Sequence, residues 1–301
     1  MLPAERPHGR FAPSPTGPLH FGSLVAAVGS YLQARSQGGL WSLRLEDLDR
    51  PRCRENFARD MLLTLEAFGF AWDGEVLWQS RRDPAYAAAL NRLQALSRVF
   101  ACACSRRELA DSQLAPDGAA IYPGTCRAGL APGKMARASR LLVPQETVTF
   151  SDALQGELAQ RLATEVGDFV LRRADGIYAY QLAVVVDDAE QGITEVVRGA
   201  DLLASTPRQI LLQRLLGYAT PRYAHLPVAV DVQGEKLSKQ TRALPVDAGR
   251  PIPLLLAVLR FLGQAPPAHL ADAGLDELWT WAVANWQLER VPRCRTVPAP
   301  G

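Results

Sequence analysis

Residues Arg10-Phe-Ala-Pro-Ser-Pro-Thr-Gly-Pro-Leu-His20-Phe-Gly-Ser23 decide the reading of this chain. Arg10 to Ala12 reads as a short strand. Three prolines and Gly17 then impose an extended loop, because proline fixes its own φ and biases the preceding residue away from the helix. From Ser23 the apolar residues Leu24, Val25, Val28, Tyr31 and Leu32 recur at helical spacing. A strand, a rigid turn and a helix N-terminus result. Backbone N–H groups and the helix dipole at such an end favour a phosphate, His20 can add a donor there, and Gly22 has no side chain to block a nucleotide.

A second stretch complements the first. The chain holds three lysines, and two of them, Lys236 and Lys239, sit in Gly234-Glu-Lys-Leu-Ser-Lys-Gln240, while arginine supplies nearly all other positive charge. An ammonium on a flexible stem suits a moving phosphate better than a planar guanidinium does.

Around these two stretches the chain alternates strand and helix. Strands are expected at Trp41 to Leu45, Val76 to Gln79 and Ile193 to Val197, and helices at Glu55 to Phe68, Pro84 to Val99 and Pro207 to Leu216. The last of these has Thr206 as its expected N-cap, Pro207 in the first turn and Gln209 at the capping-box position. Further helical stretches lie near Pro253 to Leu262 and Leu275 to Trp286, where Trp279, Trp281 and Trp286 read as core. The pattern predicts an α/β fold, a Rossmann-like doubly wound parallel sheet with ligands at the carboxyl ends of its strands, where Arg10, Glu46 and His20 fall. After Ser105 the alternation breaks into a loop-rich insertion. The expected division is 1–100 and 193–245 as two halves of the catalytic domain, 101–192 as the insertion, and 246–301 as a short helical C-terminal region.

The formal net charge is only +2 over 301 residues, so no global positive field points to nucleic acid. Between Ala101 and Arg140, however, Arg106, Arg107, Arg127, Lys134, Arg137 and Arg140 outnumber Glu108, Asp111 and Asp117, which would suit a polyanion. Met1 to Gly9 lacks the apolar run of a secretory signal, and the apolar stretches Leu254 to Leu262 and Ala183 to Val186 are too short to span a bilayer. A cytoplasmic protein with no membrane contact is expected, with monomer as the default.

Three of the five cysteines, Cys102, Cys104 and Cys126, fall in the insertion. An odd total in a cytoplasmic chain argues against a disulfide framework. Cys-x-Cys followed by Tyr122-Pro-Gly-Thr-Cys126 places three thiolates and a phenol within reach of one ion, and zinc favours such a closed, structural set; small buried cysteines in a strand are the alternative. Cys53 and Cys294 read as structural.

His20-Phe-Gly-Ser23 resembles the HIGH signature, and Lys236-Leu-Ser-Lys-Gln240 the KMSKS signature, of class I aminoacyl-tRNA synthetases. Arg10 to Gly17, Arg44-Leu-Glu-Asp-Leu-Asp49 and Tyr180-Gln-Leu-Ala-Val-Val-Val-Asp-Asp188 are similar to the glutamyl-tRNA synthetase catalytic core. The resemblance runs in order from about Arg10 to Gln240. It implies that L-glutamate attacks the α-phosphate of ATP, with Mg²⁺ carried by the nucleotide. His20 and Lys239 would stabilise the phosphates, and Gly22, Lys236 and Ser238 would complete the ATP site. Glu46 would hold the substrate ammonium, Arg10 and Arg198 its two carboxylates, and Tyr180 the side chain, with Ser14 beside them. The same resemblance makes Cys102, Cys104, Tyr122 and Cys126 a structural Zn²⁺ site. Val184 stands where the full-length glutamyl enzymes tend to carry Asn, which would make the pocket less polar.

About sixty residues follow Gln240, whereas full-length glutamyl-tRNA synthetases carry a large helical anticodon-binding region there. A truncated paralogue with this core resembles the glutamyl-queuosine tRNA(Asp) synthetase family, which attaches glutamate to the queuosine base in the anticodon loop of tRNA(Asp). That resemblance also implies glutamate activation without tRNA. The alternatives are a minimal enzyme charging a tRNA 3′ end, a small-molecule nucleotidyltransferase, which has no reason to carry Arg-Leu-Glu-Asp and the cysteine segment, and a non-catalytic RNA-binding paralogue, which has no reason to keep the His, Gly and Lys of both signatures.

Overall fold

The computed structural model describes residues 6–105, 107–109, 112–115, 118, 120–231, 233–236 and 244–300. Ser238 and Lys239 lie outside the described residues. In chain order the elements are β1 (His8–Phe11), α1 (Phe21–Ser36), β2 (Leu40–Leu45), α2 (Glu55–Ala67), β3 (Leu77–Trp78), α3 (Asp83–Ala95), β4 (Val99–Cys102), β5 (Ala138–Leu141), β6 (Thr147–Asp152), β7 (Gly156–Arg161) and α4 (Leu162–Glu165). They continue as β8 (Val170–Arg172), α5 (Tyr180–Glu190), β9 (Glu195–Gly199), α6 (Thr206–Leu216), β10 (Arg222–Leu226), β11 (Val228–Val230), α7 (Pro251–Phe261), α8 (Leu275–Asn285) and β12 (Thr296–Pro298).

The main sheet is built in two parts. Parallel β1, β2 and β3 form one. The other runs β7-β6-β10-β9, with β10 parallel to both β6 and β9 and the β6–β7 hairpin antiparallel. Thr194, just before β9, joins the parts: its N–H donates to the His8 carbonyl at 3.0 Å, and its hydroxyl accepts from the His8 N–H at 2.9 Å. Strand order therefore passes outward in both directions from β1 and β9, and the crevice at such a switch point is where open α/β sheets bind ligands. Strands β6 and β7, which the sequence places within 101–192, lie on this sheet, while β4, β5 and β8 form a separate antiparallel sheet.

Two apolar cores fill the molecule. In the first, Leu24, Val28 and Leu32 of α1 are completely buried with Trp41, Leu43, Leu226, Leu255 and Leu278; each such side chain is worth about 1.5–3 kcal/mol when removed from water. Gly29 lets α1 lie against the sheet, since a Cβ there would come within 2.5 Å of Leu226 Cδ1. Trp279 and Trp286 belong to this core, donating from their indole nitrogens to the Phe68 carbonyl at 2.9 Å and to Gln33 Oε1 at 2.8 Å. Helices α7 and α8 thus cover the α1 side of the sheet. The second core joins α3, α5 and α6 through Leu93, Leu182, Val186, Ile210 and Leu212.

Three local expectations shift. α1 begins at Phe21, with His20 as N-cap whose Nδ1 accepts from the Ser23 N–H at 3.3 Å. The helix expected to run to Val99 stops at Ala95, and Val99 opens β4. Thr206 is the first residue of α6 rather than its N-cap, because its hydroxyl is engaged by Arg198 and His225 instead. Among the described residues no helix is long and apolar enough to cross a membrane.

Candidate active site

A cavity of about 330 Å³ opens between the ends of β1 and β9. It is lined by Arg10, Ser14, Glu46, Tyr180 and Arg198, the glutamate set expected from sequence, and also by His20, Gly22 and Lys236 of the expected ATP set. The proline-rich turn is fixed by backbone bonds. The Glu46 N–H donates to the Pro13 carbonyl at 3.0 Å and the Arg54 N–H to the Pro15 carbonyl at 3.1 Å. The turn is thereby tied to the end of β2 that carries Glu46, and the strand end, the loop and the α1 N-terminus become one rim.

The charges of this rim are held from behind. Arg10 donates through Nε (3.1 Å) and Nη2 (3.4 Å) to the Asp188 carboxylate, and the fully buried Arg44 reaches the same carboxylate at 2.8 Å. Burial pushes the Asp188 carboxyl up, but Arg10 and Arg44 outweigh it and hold it below the usual carboxylate range. Its neighbour Asp187 faces the other way, toward Gln79, Tyr86 and Arg82 at 2.8, 2.8 and 3.0 Å. Helix α5 therefore presents Tyr180 to the cavity at one end and anchors three arginines, Arg10, Arg44 and Arg82, at the other.

Glu46 differs from Asp188. Burial drives its carboxyl up to about 7, although Arg44 and Arg10 pull the other way. Arg44 is its ion-pair partner, at 3.5 Å. A carboxyl poised there gains its charge when a cation arrives, which fits a group meant to meet a substrate ammonium. Across the cavity, Arg198 Nη1 donates to the Tyr180 hydroxyl at 3.3 Å. Lys236 pairs with Asp201.

Val184 does not alter the polarity of this cavity. It is 1% exposed within the second core and does not line the cavity. Nor do all the insertion's basic residues form a free polyanion surface. Arg127 clamps the buried Asp168 at 2.5 and 2.8 Å, Arg140 donates to the Asp168 carbonyl at 2.8 Å and lies over the Tyr122 ring, and Lys134 pairs with Glu108 at 3.2 Å. Arg107 and Arg137 are exposed, while Arg106 lies outside the described residues.

The insertion gathers the expected metal set. The sulfurs of Cys102, Cys104 and Cys126 all lie within 4.8 Å of one another, and the Tyr122 hydroxyl sits 3.6 Å from Cys102 Sγ and 3.7 Å from Cys104 Sγ. Burial opposes ionisation of Cys126, but hydrogen bonds from Tyr122 and the backbone prevail and bring it down to about 7. Burial pushes the Tyr122 hydroxyl up, so as a ligand it would need a cation to ionise it. Three thiols and a phenol converging without a disulfide fit a four-coordinate zinc site. Cys53 is partly buried with Sγ 3.8 Å from the Glu46 carbonyl, and Cys294 is exposed.

The sequence reading did not single out His225 or Asp152, nor the roles of Arg44 and Asp188, and it read Thr206 only as a helix cap. His225 sits on a short strand between the apolar Ala224 and Leu226, and its contact with Asp152 joins positions 73 residues apart; no motif spacing announces such a pair.

Comparison with known proteins agrees with this geometry. The family model for the catalytic domain of class I tRNA synthetases (E and Q) matches residues 8–263. A glutamyl-Q tRNA(Asp) synthetase of Aromatoleum aromaticum is 60% identical over 97% of this chain and 93% of its own length, and one of Dechloromonas aromatica is 61% identical over 95% of both. The chain belongs to the class I (E and Q) tRNA synthetases, in the family of the glutamyl-Q tRNA(Asp) synthetases. Among solved structures, a glutamate tRNA ligase from Elizabethkingia meningosepticum in complex with its amino acid superposes with a TM-score of 0.80 at 24% identity, covering 98% of this chain and 67% of that one. At that identity the likeness shows the shared fold.

Proposed function

We infer that this enzyme activates L-glutamate with ATP and transfers the glutamyl group to the queuosine base at the wobble position of tRNA(Asp). The observation that carries the reading is the juxtaposition, in one cavity, of a two-arginine, one-carboxylate set (Arg10, Arg198, Glu46) with the helix N-terminus at His20 and Gly22 and with Lys236. The first set matches a substrate with two carboxylates and one ammonium; the second matches polyphosphate.

In this reading the glutamate α-carboxylate attacks the α-phosphorus, pyrophosphate leaves, and the modified base then attacks the glutamyl carbonyl and releases AMP. No side-chain nucleophile is required, because positioning and charge stabilisation lower the barrier. His20 and Lys239 stabilise the phosphates as charge develops, Gly22 and Ser238 complete the ATP site, Lys236 orders the loop, and Mg²⁺ arrives with ATP. A second cavity of about 800 Å³ shares Ser14, Glu46 and Tyr180 with the first and continues past Asp49, Arg52, Arg173 and Asp175. It supplies room beside the adenylate for an acceptor nucleotide.

Cys102, Cys104, Tyr122 and Cys126 would hold a structural zinc that pins the cysteine-bearing part of the insertion, whose own apolar cluster is small. Residues 1–100 and 193–245 form the two halves of the catalytic unit, 101–192 carry the insertion together with β6 and β7, and 246–301 pack α7 and α8 on α1. The enzyme works in the cytoplasm as a monomer. The activation step is tested by pyrophosphate exchange without tRNA: glutamate should support it and aspartate and glutamine should not. Equal exchange with glutamine would overturn the assignment of two arginines to two carboxylates.

A further inference from the structure

Behind Arg198 lies a buried cluster that the reaction does not touch. Arg198 Nε donates to His225 Nε2 at 3.1 Å, and Nη2 donates to the Thr206 hydroxyl at 2.8 Å. The Thr206 hydroxyl is also 3.1 Å from His225 Nε2. On the far side of the ring, His225 Nδ1 meets Asp152 Oδ2 at 2.6 Å. Both side chains of that pair are fully buried. The Arg198 guanidinium lies over the Tyr223 ring, which stacks on His225 at 6.0 Å with 13° between planes. The groups facing the imidazole are therefore Asp152 on β6, Arg198 on β9, Thr206 on α6 and Tyr223 on its own strand, with Arg10 of β1 acting at longer range.

The tautomer follows from the donors. A guanidinium has no acceptor and does not lose its proton in a protein. His225 Nε2 must therefore accept, and the ring proton must sit on Nδ1, pointed at Asp152. Asp152 is held in the matching orientation, since its Oδ1 accepts from the N–H groups of Leu154 (3.0 Å), Gln155 (2.9 Å) and His225 itself (3.2 Å), which leaves Oδ2 for the ring. Burial keeps His225 neutral by lowering its pKa to about 4.

We propose that Asp152 and His225 are positioning residues for substrate recognition: Asp152 fixes the Nδ1–H tautomer of His225, and His225 Nε2 in turn aims the Arg198 guanidinium at the glutamate carboxylate. The proposal rests on the reading that Arg198 binds substrate. The chain of three reaches from the β6–β7 corner, through β10, to the cavity wall on β9.

Asp152→Asn tests it. The asparagine oxygen must stay on the three backbone N–H donors, so its NH₂ turns to His225 Nδ1, drives the ring proton to Nε2 and sets N–H against the Arg198 Nε–H. Glutamate KM in pyrophosphate exchange should rise by about tenfold or more, with ATP KM and saturating kcat within about twofold of the parent enzyme. ¹⁵N NMR should show an acceptor Nε2 on His225 in the parent enzyme and a protonated Nε2 in Asp152→Asn. His225→Gln, whose amide oxygen can accept from Arg198, should retain glutamate KM better than Asp152→Asn, and adding Asp152→Asn to it should change KM little, because glutamine has no tautomer to flip.

An unchanged KM in Asp152→Asn despite the flipped tautomer would overturn the proposal, as would a full additional KM effect in the double variant. If Asp152→Asn does not fold, a protonated Nε2 in the parent enzyme has the same force. Arg198→Lys separates the two levels. Unchanged glutamate KM there would overturn the pocket reading itself; a raised KM there with an unaffected Asp152→Asn enzyme would overturn the positioning chain alone.

Discussion

Glu46 and Asp188 show how two carboxylates near the same arginines come to different states. Asp188 is the buried hub of two guanidinium contacts and stays ionised; Glu46 meets Arg44 at 3.5 Å, and burial raises it to about 7. The sign of the resulting pH dependence follows. Below about pH 7 the free enzyme carries a protonated Glu46 that no longer attracts an ammonium, so kcat/KM for glutamate should fall by up to about tenfold per pH unit there. Bound substrate pulls the carboxyl down, so kcat at saturation should bend at lower pH. Glu46→Gln should remove the inflection, and a parent profile flat from pH 6 to 8 would contradict this assignment. For Asp188 the linkage runs the other way: a lowered pKa contributes stability above the ordinary carboxylate range, and that contribution is lost as the pH falls through the folded value. Asp188→Asn leaves Arg10 and Arg44 buried against a neutral amide and should cost about 3 kcal/mol in urea unfolding; a loss under about 1 kcal/mol would count against the hub. Lys239→Ala should abolish pyrophosphate exchange while leaving glutamate binding by calorimetry nearly intact.

Among the elements, those defined by local chemistry were legible in the sequence and those defined by long-range pairing were not. The prolines between Arg10 and His20 announce the turn, the apolar spacing of Leu24 to Leu32 announces α1, and Glu46 and Tyr180 were placed in the site because motifs carry them. Nothing local tells that the β6–β7 hairpin leaves the insertion and pairs through β6 with β10, since that choice depends on a partner strand some seventy residues away. Thr206 was misread because a threonine before Pro207 satisfies the local rule for an N-cap, whereas the fold gives its hydroxyl to Arg198. The cysteine cluster was legible as spacing, and the fold adds that β4 and the Tyr122–Cys126 turn bring the four groups together. As purified under reducing conditions, the protein should carry about one zinc per chain. Cys104→Ser or a strong chelator should remove it and lower the unfolding midpoint by several degrees or more. A zinc-free preparation with the same midpoint would refute the structural metal.

At the level of the whole molecule, the candidate active site is the place where two half-sheets meet. β1 brings Arg10, the end of β2 brings Glu46, β9 brings Arg198 and α5 brings Tyr180, so neither half alone contains the residues proposed to hold glutamate. The first core lies on the α1 side of this junction and the second on the α5 side, and the cavity floor is braced by both. The larger neighbouring cavity opens from the same wall, through Ser14, Glu46 and Tyr180, and is lined on its far side by the insertion through Cys104, Arg140, Arg173 and Asp175, so the proposed acceptor site draws on the catalytic halves and the insertion together. The most direct test of that account is transfer of labelled glutamate, with ATP and Mg²⁺, to tRNA from cells that make queuosine and from cells that cannot. The account predicts label on the queuosine-containing tRNA alone, stable to removal of the 3′-terminal nucleotides; equal labelling of both pools, lost with the 3′ end, would contradict it.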